Sequence, residues 1–230
     1  MDNSKHPKRR MGGPNRDGYQ YKEVVDANTG KMHRAYTYNG APCQRVQLNS
    51  RLCSQLSGYA LIEKDLRNVA VWLNEIAALQ KEEPEVTQHF YPKNRKTYNL
   101  VKGLFVAALT FYGKCFSQCE GRPVKLERAQ LDAKFKSTHE ELITLRHNFA
   151  AHSGGTHHEF VDIALVSAKT PGVSPMLYRE LFQIDLIVIA DGPLFSEVVE
   201  NARQVALHKI ELLSRKILEE EAKTVQTGKC

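Results

Sequence analysis

Apolar residues recur at Leu52, Leu56, Tyr59, Ile62, Leu66, Val69, Leu73 and Ile76, in alternating steps of four and three. That rhythm draws one stripe along a long amphipathic helix. Asn49 or Ser50 is placed to cap its start, and Pro84 marks its latest end. A second helix is predicted over about 96–119 with two adjacent apolar stripes, Leu100–Leu104–Ala107–Phe111 and Val101–Phe105–Ala108–Tyr112–Phe116. So broad an apolar surface belongs at the centre of a bundle or at an interface between copies. Gly103 and Gly113 lie within it and permit close approach of a neighbour.

The pattern predicts a third helix over about 126–152 and a fourth over about 194–222, the latter with Phe195, Val199, Ala202, Ala206, Ile210, Leu213 and Ile217 on its apolar face. Between the helical stretches the period shifts towards β structure. Tyr19–Val25 and Met32–Tyr38 flank an Asp26…Gly30 turn and predict a hairpin, after which Asn39-Gly40-Ala41-Pro42 breaks the pattern. Phe160–Val166 and Tyr178–Ile189 predict a second hairpin around Thr170-Pro171-Gly172. The fold class expected is mainly α: four long helices, a β-hairpin before the first, and another between the third and fourth. Residues 1–18 are expected to be a disordered basic tail, 19–48 a hairpin and linker, 49–223 the helical domain and 224–230 a frayed end.

Composition adds exclusions. A chain of 230 residues with 42% hydrophobic and 25% charged residues is ordinary for a globular protein. No apolar run nears the ~18 residues of a membrane span. The first residues, MDNSKHPKRRMGG, have no apolar signal-peptide centre, so the cytoplasm is the compartment expected. The net charge is +6, and residues 1–18, with five Lys/Arg and two Asp, supply half of it. The five cysteines include no Cys-x-x-Cys spacing, and Cys115 and Cys119 fall among aromatic residues of a predicted helix. This disfavours a zinc site or a disulfide framework.

Candidate chemistry gathers in THEELITLRHNFAAHSGG, residues 138–155. On an ideal helix of about 100° per residue, Leu131, Thr138, Leu142, Leu145 and Phe149 form one apolar arc, with Arg146 and His152 on opposite rims roughly 120° apart. Charged and polar groups bordering such an arc need partners. Gly154 and Gly155 then suit a left-handed cap. A second Arg-to-His pair, Arg203 and His208, sits mid-helix with no glycine turn and no neighbouring Asn. Spacing alone does not separate the two pairs; their surroundings do.

The run Leu145-Arg146-His147-Asn148-Phe149-Ala150-Ala151-His152-Ser153 resembles the signature of the HEPN superfamily (higher eukaryote and prokaryote nucleotide-binding domains), most nearly its abortive-infection type. His139 and Leu142 in HEELITLR resemble the lead-in of those proteins. The resemblance covers about 20 residues closely. Over 51–222 it rests on helix count and order, and 1–48 lie outside it. His147 directly follows Arg146 here and Asn148 comes one later, so either one can fill the polar position of the motif. The resemblance implies an HEPN-like four-helix bundle that acts as a metal-independent endoribonuclease, with two motifs paired in a homodimer and no cofactor. It also raises a toxin or phage-defence role, with an antitoxin or other partner protein.

The chemistry is coherent on its own. RNA carries its nucleophile, the 2′-OH, beside the scissile phosphate. His152 is suited to moving a proton near neutral pH, and Arg146 to clamping phosphate oxygens. Asn148 lies one turn before His152 and can orient it. His139, seven residues before Arg146 on the same face, is a candidate second proton-transfer group, and Ser153 an auxiliary one. The plain alternative is a helix-terminal His152 satisfied by carbonyls. A metal site would need His152 with one of His157 and His158, which point to opposite faces if they lie on a strand. The competing function is a non-catalytic HEPN module that dimerises or binds nucleotide for a partner protein.

Overall fold

A computed structural model describes residues 18–26, 29–30, 32–82, 94–151, 160–170, 172–182 and 194–226. Its backbone divides into two units, Met1–Asn49 and Ser50–Cys230. In the first, β1 (Tyr19–Val25) and β2 (Met32–Tyr38) pair antiparallel, with Tyr19 opposite Tyr38 and Val25 opposite Met32. The predicted turn closes as its residues require. The Asp26 carboxylate accepts from the Thr29 N–H at 2.8 Å, the Asp26 carbonyl accepts from the Gly30 N–H at 2.9 Å, and Gly30 has φ +66°.

Asn39 and Gly40, expected to break the pattern, instead turn the chain back on itself. Both have positive φ, 48° and 84°, the conformation of a tight hairpin turn. They lead into a two-residue strand, β3 (Ala41–Pro42), beside β2. Proline is tolerated there because β3 is an edge.

The second unit is mainly helical. Helix α1 (Arg51–Glu82) starts at Ser50, whose hydroxyl accepts from the Cys53 N–H at 3.2 Å. Helix α2 (Arg95–Phe116) is capped by Asn94, which accepts from the Thr97 N–H at 3.1 Å. Helix α4 (Phe195–Gln226) closes the core against α1, with α2 on α1 as well. Ile62, Leu66 and Val69 of α1, Val101, Ala108, Leu109 and Tyr112 of α2, and Val198, Val199, Ala202 and Ala206 of α4 are fully buried together. The outer stripe of α2 is not covered to the same degree: Leu100 is half exposed and a Cβ on Gly103 would meet open space.

The third predicted helix is the main correction. From Leu126 to Phe135 the chain runs through extended residues and two short 3₁₀ turns, Arg128–Gln130 and Ala133–Phe135. Helix α3 spans only Lys136–Leu145. Backbone N–H groups along this path have local or distant partners. The Leu126 N–H donates to the Cys115 carbonyl (2.9 Å), the Glu127 N–H to Gln130 Oε1 (2.8 Å), and the Asp132 N–H to Asn201 Oδ1 of α4 (3.1 Å). Leu126, Leu131 and Phe135 are buried all the same, so their spacing imitates a helical arc. After α3 the chain widens into a π-helical segment, Arg146–Ala151, instead of continuing as α-helix.

The second hairpin pairs β4 (Phe160–Val166) with β5 (Met176–Phe182), two residues earlier than the Tyr178 start expected, and 183–189 lie outside the described residues. Phe160 stacks on Phe182 at 4.5 Å. Ile163, Leu165, Met176 and Leu177 of this hairpin are all exposed. Also outside the described residues are the basic tail up to residue 17, Pro84, Phe90, Tyr91, His152 to Gly155, His157, His158 and the last four residues. No helix among the described residues is long and apolar enough to cross a membrane.

Candidate functional site

Arg146 stands at the junction of α3 and the π segment. Its own N–H is shared between the carbonyls of Ile143 and Leu142, the last α-type bond before the π-bonded segment that starts at this residue. Single π turns inside helices recur at functional sites because the altered bonding re-aims side chains. The segment packs on α2, and the seat there is Gly113. A Cβ at position 113 would stand 3.1 Å from Arg146 Cγ and 3.3 Å from Cδ. The missing side chain of Gly113 is the space that the arginine stem occupies.

The guanidinium reaches outward from this seat. Arg146 Nη1 lies 3.3 Å from His147 Nδ1, and among the described residues no carboxylate pairs with Arg146. Arg146 is partly buried, while His147 and Asn148 are exposed. An arginine held by its stem, with an imidazole beside its head, can receive a phosphate from solvent. His152 and Ser153, the other two members of the motif, lie outside the described residues.

Arg203 is bound differently. Its Nε donates to Glu63 Oε1 of α1 at 3.0 Å and its Nη1 to Glu200 Oε2 at 3.3 Å, bonds that raise its pKa. It is a tie between α4 and α1, and His208 is exposed. The two arginines thus differ in their partners: Arg203 is bound to Glu63 and Glu200, and Arg146 has no carboxylate partner among the described residues.

His139 is only 6% exposed. Its Nδ1 is 2.8 Å from Tyr112 Oη, and its ring lies 4.3 Å from that of Phe116. Burial, then the nearby Arg128, lower its pKa, with Glu140 opposing. Burial also raises the pKa of Tyr112. A neutral histidine bonded to a neutral phenol inside the core joins α2 to α3 and fixes the base of the segment that carries Arg146. It is placed as a positioning group for that segment.

Sequence reasoning missed a buried charge cluster. Asp65 of α1 is 1% exposed and faces Lys64 (3.0 Å), Lys114 (3.1 Å) and the buried Arg122 (3.5 Å). Arg122 also donates to the Lys114 carbonyl and to Cys119 Sγ, so it fastens the loop after α2 to both long helices. Burial, with a further push from Asp65, raises the Cys115 thiol to about 12, a protonated structural cysteine. Asp65 falls one position before Leu66 on the α1 stripe; a carboxylate so near an apolar stripe was the available signal. Among the described residues no three His, Cys, Asp or Glu side chains are grouped as metal ligands.

Compared with protein-family models, curated proteins and solved structures, the chain matches none.

Proposed function

We propose that the helical unit is an endoribonuclease of HEPN type, working as a homodimer that pairs two copies of the 146–153 segment. The 2′-OH of the substrate attacks the adjacent phosphorus and the P–O5′ bond breaks, leaving a 2′,3′-cyclic phosphate and a free 5′-OH. His152 moves the proton that this exchange requires. Arg146 holds the phosphate oxygens as charge builds on them, which is worth most in an arrangement fixed beforehand. His147 or Asn148 orients one of these two groups.

One observation carries the reading: Arg146 is seated on Gly113 with no carboxylate partner among the described residues, whereas Arg203 is bound to Glu63 and Glu200. An arginine with a purely structural task would be expected to be tied as Arg203 is. A non-catalytic module is the second reading, and charge favours it. Unit Met1–Asn49 holds nine of the 32 Lys/Arg and four of the 26 Asp/Glu, which leaves 23 against 22 in the helical unit. A helical unit so balanced is a poor trap for a polyanion by itself.

The test is cleavage of total RNA by the purified chain in EDTA, with the product ends mapped. Cyclic-phosphate ends that vanish in both His152→Ala and Arg146→Ala establish the enzyme. A folded dimer inert towards every RNA tried refutes it and leaves the module.

A further inference from the structure

The pairing of β1 with β2 brings four tyrosines to one face of the small sheet. Tyr19 faces Tyr38 and Tyr21 faces Tyr36, because residues directly opposite in an antiparallel pair share a face and the next pair on that face is two residues on. The ring centroids are 4.8 Å apart in the first pair and 6.0 Å in the second, and each pair is tilted by about 50°. Beyond them on the same face, Arg34 lies opposite Glu23 and places its guanidinium 4.4 Å from the Tyr21 ring centroid. Ala41 of β3 continues the Tyr19–Tyr38 row with a small side chain. Tyr19 is 52% exposed and Tyr38 46%, while Tyr21 and Tyr36 are half-buried.

From these residues we infer that the exposed Tyr19–Tyr38 pair, backed by the half-buried Tyr21–Tyr36 pair, is a stacking platform for single-stranded nucleic acid. Tyrosine rings left open on a sheet accept unstacked bases, and base-on-aromatic stacking tolerates any sequence because every base has a π face. Arg34 adds a planar cation within the same row of rings. Charge selects this ligand over an apolar protein surface. The sequence of residues 1–49 has nine Lys/Arg to four Asp/Glu, five of the six net positive charges of the chain, and five of those nine cations lie in residues 5–16, just before Tyr19. A strongly basic unit with an open aromatic face matches a flexible polyanion that offers rings. The platform names the surface that holds the strand in the ribonuclease reading, and it rests on that reading only for the strand being RNA.

The test measures binding of a fluorescent single-stranded 12-mer RNA to the full chain carrying His152→Ala, so that no substrate is consumed. The same is done with the deoxy 12-mer and with a duplex. Single strands of either sugar are expected to bind within a few-fold of each other, and the duplex more weakly. Tyr19→Val with Tyr38→Val keeps strand-forming side chains but removes the rings, and should weaken single-strand binding about ten-fold or more without changing its salt dependence. Tyr19→Phe with Tyr38→Phe keeps the rings and should bind within about two-fold of the parent. Unaltered binding by the valine pair overturns the platform. So does equal loss in the phenylalanine pair, because the ring face would then not be the contact. A wild-type chain that binds single strands through these rings yet never cleaves them overturns the ribonuclease and leaves the platform standing.

Discussion

The stem of Arg146 rests on the bare Cα of Gly113, a glycine of another helix, with the place of the missing Cβ 3.1 Å from Arg146 Cγ. Gly113→Ala puts two effects in opposition. Alanine favours the helix by about 1 kcal/mol over glycine, while the new methyl presses on the arginine stem. The expected outcome is a stability change within about 1 kcal/mol in either direction and a clear loss of any Arg146-dependent cleavage. Gly103→Ala is the control. Its Cβ meets nothing within 4 Å, so it should stabilise by about 1 kcal/mol and leave activity alone. Thermal melts and an RNA-cleavage assay on both variants check this; a fully active Gly113→Ala would show that the seat does not position the arginine.

His139 makes stability depend on pH. Its pKa in the folded chain is lowered below the ordinary histidine value, chiefly by burial. The unfolded chain therefore takes up a proton first as pH falls, and stability is lost from about pH 6.5 downward until the folded state protonates too. Urea midpoints across pH 5 to 8 should fall on the acid side, and His139→Gln should flatten that fall. Tyr112→Phe should cost about 1 kcal/mol at neutral pH by removing the hydroxyl bonded to Nδ1. An acid-side slope unchanged in His139→Gln would assign it to other groups.

Asp65 and Arg122 are both almost fully buried, 1% and 4% exposed, so removing one strands the other. Asp65→Asn should destabilise by about 3–5 kcal/mol, far more than a surface ion pair would. Replacing the two together, Asp65→Leu with Arg122→Met, should recover most of that loss, because no uncompensated charge is left in the core. Denaturant titration of Asp65→Leu, Arg122→Met and the double variant reads the non-additivity directly. Additive losses would mean that Asp65 and Arg122 do not act as a pair.

Arg203→Ala removes a partly exposed tie between α4 and α1, and should cost about 1 kcal/mol or less. His208→Ala should cost still less. Neither should alter cleavage, binding or product ends, whereas Arg146→Ala should abolish cleavage with a smaller effect on stability than Asp65→Asn. If Arg203→Ala silences a chain that melts like the parent, the arginines have been assigned the wrong way round.

Periodicity made the α1 stripe legible, since Ile62, Leu66, Val69 and Ile76 are all buried at the spacing that their sequence positions imply. The same logic failed over 126–135. There Leu126, Leu131 and Phe135 reach the core from a non-helical path held by Cys115 and Asn201, and no local pattern encodes those distant bonds. The π segment was illegible for a related reason: a wider turn leaves composition and spacing unchanged. Arg146 itself stood out, but its seat did not, because Gly113 is 33 positions earlier in the chain. The tyrosine ladder was not read from the sequence, because only the strand register joins Tyr19 and Tyr21 to Tyr38 and Tyr36.

The packing of α4 on α1 also sets a timetable for synthesis. α1 ends at Glu82, and the helix that covers its apolar stripe begins at Phe195. At about 5–20 residues per second, a ribosome needs on the order of ten seconds to span that gap. During this time Ile62, Leu66 and Val69 wait without the contacts that α4 supplies. The two N-terminal hairpin turns close over a handful of residues and need no such delay. A chain stopped between Glu82 and Phe195 would therefore hold the whole sheet segment joined to an unfinished bundle, and would be a substrate for chaperones and proteases.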